Sequence, residues 1–183
     1  MPGAPSVQVL PRSVNPRKFA HQDARLEGTI AAENLDRLRA AVVDVQNTVA
    51  VSLHFYIDDG GKAVVKGNIS TDVVMICQRC LEQVTQTVNA DPCLALVLND
   101  DQSNALPTVY DPWLLDSEDG SANLYQMVED ELLLALPMVA LHSKLCIDSA
   151  LMQSQESKIE DKEKRPNPFD VLEQLKTKTS KLD

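Results

Sequence analysis

The residues of this chain best suited to chemistry are two short motifs. One is a pair of thiols separated by two residues, Cys77-Gln78-Arg79-Cys80. The other is a histidine four residues before a further thiol, His142-Ser143-Lys144-Leu145-Cys146. Two thiolates at the first spacing converge on one ion when the backbone folds into a knuckle, and thiolate and imidazole are donors that zinc prefers. Cys77 and Cys80 fill two of four tetrahedral positions. His142 and Cys146 would complete a closed set of three cysteines and one histidine, which leaves no position for a substrate and is structural. Two other uses stay open. The thiols can be reduced, half-buried side chains beside a core histidine, or Cys77 and Cys80 can form a redox or metal-dependent catalytic pair, with Arg79 favouring a thiolate. Redox thiols usually sit at helix N-termini, where the dipole lowers the thiol pKa. Here the pair follows a strand pattern, and β-branched Thr85, Thr87 and Val88 speak against a helix after it.

No other motif competes. His21, His54 and His142 lie in unrelated segments without a recognisable nucleophile, and there is no glycine-rich phosphate loop. Glu129, Asp130 and Glu131 read as an exposed acidic flank of a helix rather than as an acid–base pair. The expectation is a protein without a catalytic centre.

The elements that must position the thiols are legible from periodicity. Val49, Val51, Leu53, Phe55 and Ile57 alternate with Ala50, Ser52, His54, Tyr56 and Asp58, which predicts a strand with one buried face. Asp58-Asp59-Gly60-Gly61 supplies the positive φ angles of a hairpin turn. A second strand runs over about 62–76 and delivers Cys77 on its inward parity. A third strand is predicted over 84–88 and a fourth over 93–98. The fold class is therefore α+β, an antiparallel meander able to close on itself in part, with a few packed helices. Leu35, Leu38, Val42 and Val43 predict a short helix over 33–43. Asn123 caps a longer one with Leu124, Met127, Val128, Leu132 and Leu136 inward, ended by Pro137. Residues 1–22, with Pro2, Pro5, Pro11 and Pro16, read as irregular, and 99–122 as a long polar loop. Residues 23–149 then make the single domain, 150–165 a charged linker, and 166–183 a short C-terminal helix and tail carrying Phe169, Leu172 and Leu175.

Charge adds a constraint on partners. The 183 residues carry a net charge of −10, and residues 91–156 hold Lys144 as their one basic side chain. Nucleic-acid affinity comes from lysine and arginine displacing counterions, so direct RNA binding through this region is disfavoured. A basic protein would be attracted instead. The N-terminus lacks the charged-then-apolar pattern of a secretory signal and no apolar run reaches membrane length, so the expected setting is cytoplasmic, with no membrane partner.

Three segments carry a resemblance: Cys77-Gln78-Arg79-Cys80-Leu81, the run 128–137 (Val-Glu-Asp-Glu-Leu-Leu-Leu-Ala-Leu-Pro), and Arg165-Pro166-Asn167-Pro168-Phe169 with Val171-Leu172 following. In this order and spacing the chain resembles the YceD family, the large ribosomal RNA subunit accumulation proteins. The resemblance implies a non-catalytic factor that supports synthesis, processing or stability of 23S ribosomal RNA. Joined to the charge, it implies action through a basic protein of the ribosome-assembly or RNA-processing pathway. The expected contact residues are Arg79, Glu129, Asp130, Glu131, Phe169 and Leu172, and the expected cofactor is at most one structural zinc.

Overall fold

The structure, a computed structural model, describes residues 8–46, 48–115 and 120–147. It begins with a short strand β1 (Ser13–Val14) and a helix α1 (Pro16–His21), followed by β2 (Arg25–Ala31), a 3-10 turn (Ala32–Asn34) and α2 (Asp36–Ala41). The strands β3 (Asp44–Val45), β4 (Thr48–Ile57), β5 (Ala63–Ile76), β6 (Gln83–Ala90) and β7 (Cys93–Val97) come next. The described part ends with α3 (Asp100–Asn104), β8 (Asp111–Leu114), β9 (Ala122–Asn123) and α4 (Leu124–Ala135). The class is α+β with a mostly antiparallel sheet, as the alternation predicts.

The 14-residue strand β5 is the spine of the sheet. Its first half pairs with β4 through the hairpin, in which Gly61 takes a φ of +76° and the Asp58 N–H donates to the Lys62 carbonyl at 2.9 Å. Its second half pairs with β3 on that same edge. On the other edge β6 and β7 follow one another along β5 instead of forming successive meander strands. Asp91-Pro92 interrupts them: Pro92 has no N–H to give the ladder, and only its carbonyl is used, accepting from Gly67 at 3.2 Å. Among the described residues β2 and β8 end the sheet, and it does not close into a barrel.

The inward parity of β4 (Val49, Val51, Leu53, Phe55) and of β5 (Val65, Ile69, Val73) is buried. Helix α1 covers this face through Phe19, whose ring meets Phe55 edge-to-face at 5.4 Å. Helix α4 covers it through Leu124, Met127, Val128 and Leu132, all buried. Asn123 caps α4 by accepting from the N–H groups of Tyr125 (3.1 Å) and Gln126 (3.3 Å). Leu136 turns extended at ψ 136°, which Pro137 after it enforces.

Two local readings are corrected. Residues 16–21, expected to be irregular, are helical: Asn15 accepts from the Lys18 N–H at 2.9 Å, and Pro16 sits at the first helical position, where a missing N–H costs nothing. The proline-rich composition hid a helix start that one of those prolines helps to make. The loop 99–122 holds α3, capped by Asn99 on the Gln102 N–H, and β8, which runs parallel to β7. The residues 116–119 of that loop lie outside the described residues, as do the expected linker 150–165 and the C-terminal helix with Phe169, Leu172 and Leu175.

Candidate metal centre

The hairpin of β5 and β6 does not close with a simple turn. Cys77 is the first residue beyond β5, and its N–H donates to the Glu82 carbonyl at 2.8 Å. The Leu81 N–H returns to the Cys77 carbonyl at 2.9 Å, and Leu81 takes the left-handed φ of +63°. A leucine there costs about 1–2 kcal/mol. That strain gives the tight backbone knuckle that points both thiols the same way.

Beyond Pro137 the chain crosses back over this knuckle. The Gln78 N–H donates to the Ala140 carbonyl at 2.9 Å, and the Gln86 side chain donates to the Leu141 carbonyl at 3.1 Å. These bonds bring His142 and Cys146 to the cysteine pair. The four donor atoms of Cys77, Cys80, His142 and Cys146 lie within 4.8 Å of one another. Cys77 is fully buried and packs with Val84 and Ala140 in a small cluster separate from the main core. The four residues singled out in the sequence therefore form one group in space.

The geometry fits a tetrahedral metal. With zinc–sulfur bonds of about 2.3 Å, two thiolates stand about 3.8 Å apart, and a thiolate and an imidazole nitrogen about 3.5 Å apart. The Sγ atoms of Cys77 and Cys146 are 3.8 Å apart, and Cys80 Sγ lies 3.3 Å from His142 Nδ1. His142 Nε2 is 3.1 Å from the Gln83 carbonyl, which can only accept. That contact puts the ring proton on Nε2 and leaves the Nδ1 lone pair facing the sulfurs, as a metal-ligating histidine requires.

The acid–base behaviour follows from crowding. Burial opposes ionisation of Cys77, but N–H groups of Cys80, Arg79 and His142 outweigh it and bring its pKa down to about 5. At Cys80 the Glu82 N–H favours the thiolate, while burial and the sulfurs of Cys146 and Cys77 prevail and raise the pKa. The same two sulfurs raise the pKa of His142. One anionic sulfur is easily accommodated, and further ones call for a cation.

Arg79, expected as a partner contact, is half-buried and turned toward the centre. Its Nε donates to Cys146 Sγ at 3.1 Å, and its Nη2 donates to the carbonyls of His142 (2.8 Å) and Lys144 (3.1 Å). Its place inside a Cys-x-x-Cys knuckle, beside developing thiolates, is the sequence signal for this role.

The acidic flank also divides. Glu129 is not exposed but buried: its Oε1 accepts from the N–H groups of Arg37 (2.7 Å) and Leu38 (3.0 Å), and its Oε2 from Arg37 Nε at 2.9 Å. Leu35, at the N-cap of α2, offers no side-chain acceptor, and Glu129 supplies the cap from a distant helix. Asp130 pairs with Arg37 Nη2 at 2.7 Å. Glu131 is half-buried, and burial, then Asp111, then Asp130 raise its pKa. At this position the native protein binds protons more readily than the unfolded chain. The stability from this group is full below the unfolded pKa and is lost as pH rises through the folded value. Glu131→Gln should therefore raise the Tm at pH 7 by about 1–2 °C and change little near pH 4. Thermal melts of both proteins at the two pH values check this, and a lowered Tm at pH 7 would contradict it.

Among the described residues no helix is long and apolar enough to cross a membrane. No solved structure matches the chain. It is 41% identical over 170 residues to the Large ribosomal RNA subunit accumulation protein YceD of Haemophilus influenzae, which covers 92% of this chain and 97% of the relative. The model of the family described as Large ribosomal RNA subunit accumulation protein YceD matches residues 65–176, a span that holds the knuckle, His142, Cys146 and α4. The chain belongs to the YceD family.

Proposed function

We propose that this protein is a non-catalytic factor for accumulation of large-subunit ribosomal RNA, that its cysteine–histidine centre holds one structural zinc, and that it acts through a basic protein. The observation that carries the role is the likeness to the Haemophilus influenzae relative along nearly the full length of both chains. The closed donor set supports a structural use of the centre, since four protein ligands leave zinc no open position. Thiol redox chemistry draws on the lowered pKa of Cys77, but a redox thiol has to be reached, and Cys77 is fully buried.

Two experiments test the role. Depleting the protein from its host should lower large-subunit ribosomal RNA relative to small-subunit RNA, and re-expression should restore it. An unchanged ratio would overturn the accumulation reading. Immobilised full-length protein should bind purified large-subunit ribosomal proteins at low salt, weaken at high salt, and ignore bare ribosomal RNA. Salt-resistant binding to the RNA alone, or no binding to the proteins, would overturn the partner reading.

Arg79 tests the centre. Zinc with three thiolates carries one net negative charge, which the Arg79 guanidinium offsets at Cys146 while tethering two carbonyls of the distal segment. Losing such an outer partner costs about 10–100-fold in metal affinity. Arg79→Ala should still bind zinc but lose it to a chromophoric chelator at about 10-fold lower chelator concentration. Arg79→Lys should recover only part of this, because an ammonium lacks the planar fork. Unchanged retention in Arg79→Ala would remove Arg79 from the centre.

A further inference from the structure

Between β8 and α4 lies an open groove of about 720 Å³. Leu94 and Met127 are its buried floor, Trp113 is half-buried in it, and Leu134 stands at its rim 81% exposed. Leucine at that exposure on a helix has no packing role in the described fold. The groove is rimmed by carboxylates from two elements, Asp111 on β8 and Glu131 with Asp130 on α4. Arg37 is the cation nearby, and it is engaged by Glu129 and Asp130. Among the described residues no lysine or arginine pairs with Asp111 or Glu131. A half-buried carboxylate, Glu131, repelled by the exposed Asp111 beside an apolar floor favours a cation that also brings apolar surface.

We infer that this groove seats a cationic amphipathic segment of a partner protein, its apolar side chains against Trp113 and Leu134 and its lysines or arginines on Asp111 and Glu131. The assignment rests on the basic-partner reading above and gives it a location. Charge complementarity selects this occupant: a phosphate backbone meets only repulsion here, and an uncharged apolar segment leaves the rim carboxylates unpaired.

The molecule carries its own probe, because Trp113 is the one tryptophan of the chain. A synthetic amphipathic leucine–lysine peptide, titrated into the full-length protein, should shift Trp113 emission to shorter wavelength and saturate. The double variant Asp111→Asn/Glu131→Gln should weaken binding about tenfold, a difference near 1.4 kcal/mol. Asp130 is left intact because it holds Arg37. Leu134→Ser, a change at an exposed site that leaves the core alone, should weaken binding as well. A leucine–glutamate peptide of the same pattern should give no shift. No saturable shift with the leucine–lysine peptide, equal affinity in the double variant, or a saturable response to single-stranded RNA would each overturn the proposal.

The partner reading fails separately. If ribosomal proteins bind the wild type and the double variant alike, the groove is wrong and the reading stands. If they bind neither, the reading itself falls.

Discussion

Glu129→Ala should destabilise the fold by about 2–4 kcal/mol and lower the Tm by about 10 °C, although the position lies in a run of acidic residues that looks like ordinary solvated surface. The reasoning starts from α2, a short helix whose first N–H groups have no partner within the helix. Leu35 cannot cap it, and the carboxylate of Glu129, itself buried, takes the N–H groups of Arg37 and Leu38. Leu38 is fully buried, so water cannot readily replace the lost acceptor. Losing a cap costs about 1 kcal/mol. Leaving a buried donor unsatisfied adds about 1–3 kcal/mol. Glu129→Gln keeps one carbonyl oxygen for the two backbone N–H groups but loses the charge and the Oε2 that accepts from Arg37 Nε, so it should cost about half as much. Urea unfolding followed by circular dichroism measures both. A change below about 0.5 kcal/mol in Glu129→Ala would show that the cap contributes nothing.

Glu129 also shows where the sequence stops being informative. Strand β4 was legible because alternation is a local signal: each residue from Val49 to Phe55 shows its own side of the sheet. The hairpin at Asp58–Gly61 and the Asn123 cap were legible for the same reason. The role of Glu129 depends on N–H groups 91 and 92 residues earlier, and no window of sequence contains both. A local hint existed. Glu129 lies four residues after Tyr125 and three before Leu132, both buried, so helical geometry already placed it on the inward side. Strand β8 was missed because four residues containing Pro112 give a weak strand pattern, and its parallel pairing with β7 is fixed only by tertiary packing.

The cysteine–histidine cluster lies between these cases. Cys-x-x-Cys and His-x3-Cys are local patterns, and their union across more than 60 residues follows from the chemistry of a four-donor site. The clamp formed by Arg79 needed the fold, because the carbonyls it holds belong to the distal segment. The hydrogen-bond partners of Glu129, Arg37 and Leu38, are not among the residues of this centre, so the two sites can be perturbed separately.

Protein prepared without chelator should contain one zinc per chain, and removing it should open the knuckle while leaving the main core folded. The centre belongs to a cluster of Cys77, Val84 and Ala140 that is distinct from the core between sheet and helices. Zinc at 1,000 times its Kd adds about 4 kcal/mol to the states that bind it. Here that stabilisation falls on the knuckle and on the segment 137–147. After chelation, or in Cys80→Ser, amide exchange should accelerate by roughly two to three powers of ten at Gln78 and Leu81, whose N–H groups the crossing segment and the knuckle hold. Exchange in β4 should change little. Thiol counting gives an independent readout, because the chain has four cysteines and Cys93 lies on β7, outside the centre. Loaded protein should expose at most Cys93 to a thiol reagent, and chelated protein should expose all four. Acid should release the metal, since thiolates and a neutral imidazole are the binding forms and protons compete for each. Metal-free protein with four slowly reacting thiols would favour plain reduced cysteines. Metal-free protein in which Cys77 reacts fast as a thiolate near neutral pH would favour redox chemistry, and either result would remove zinc from the account.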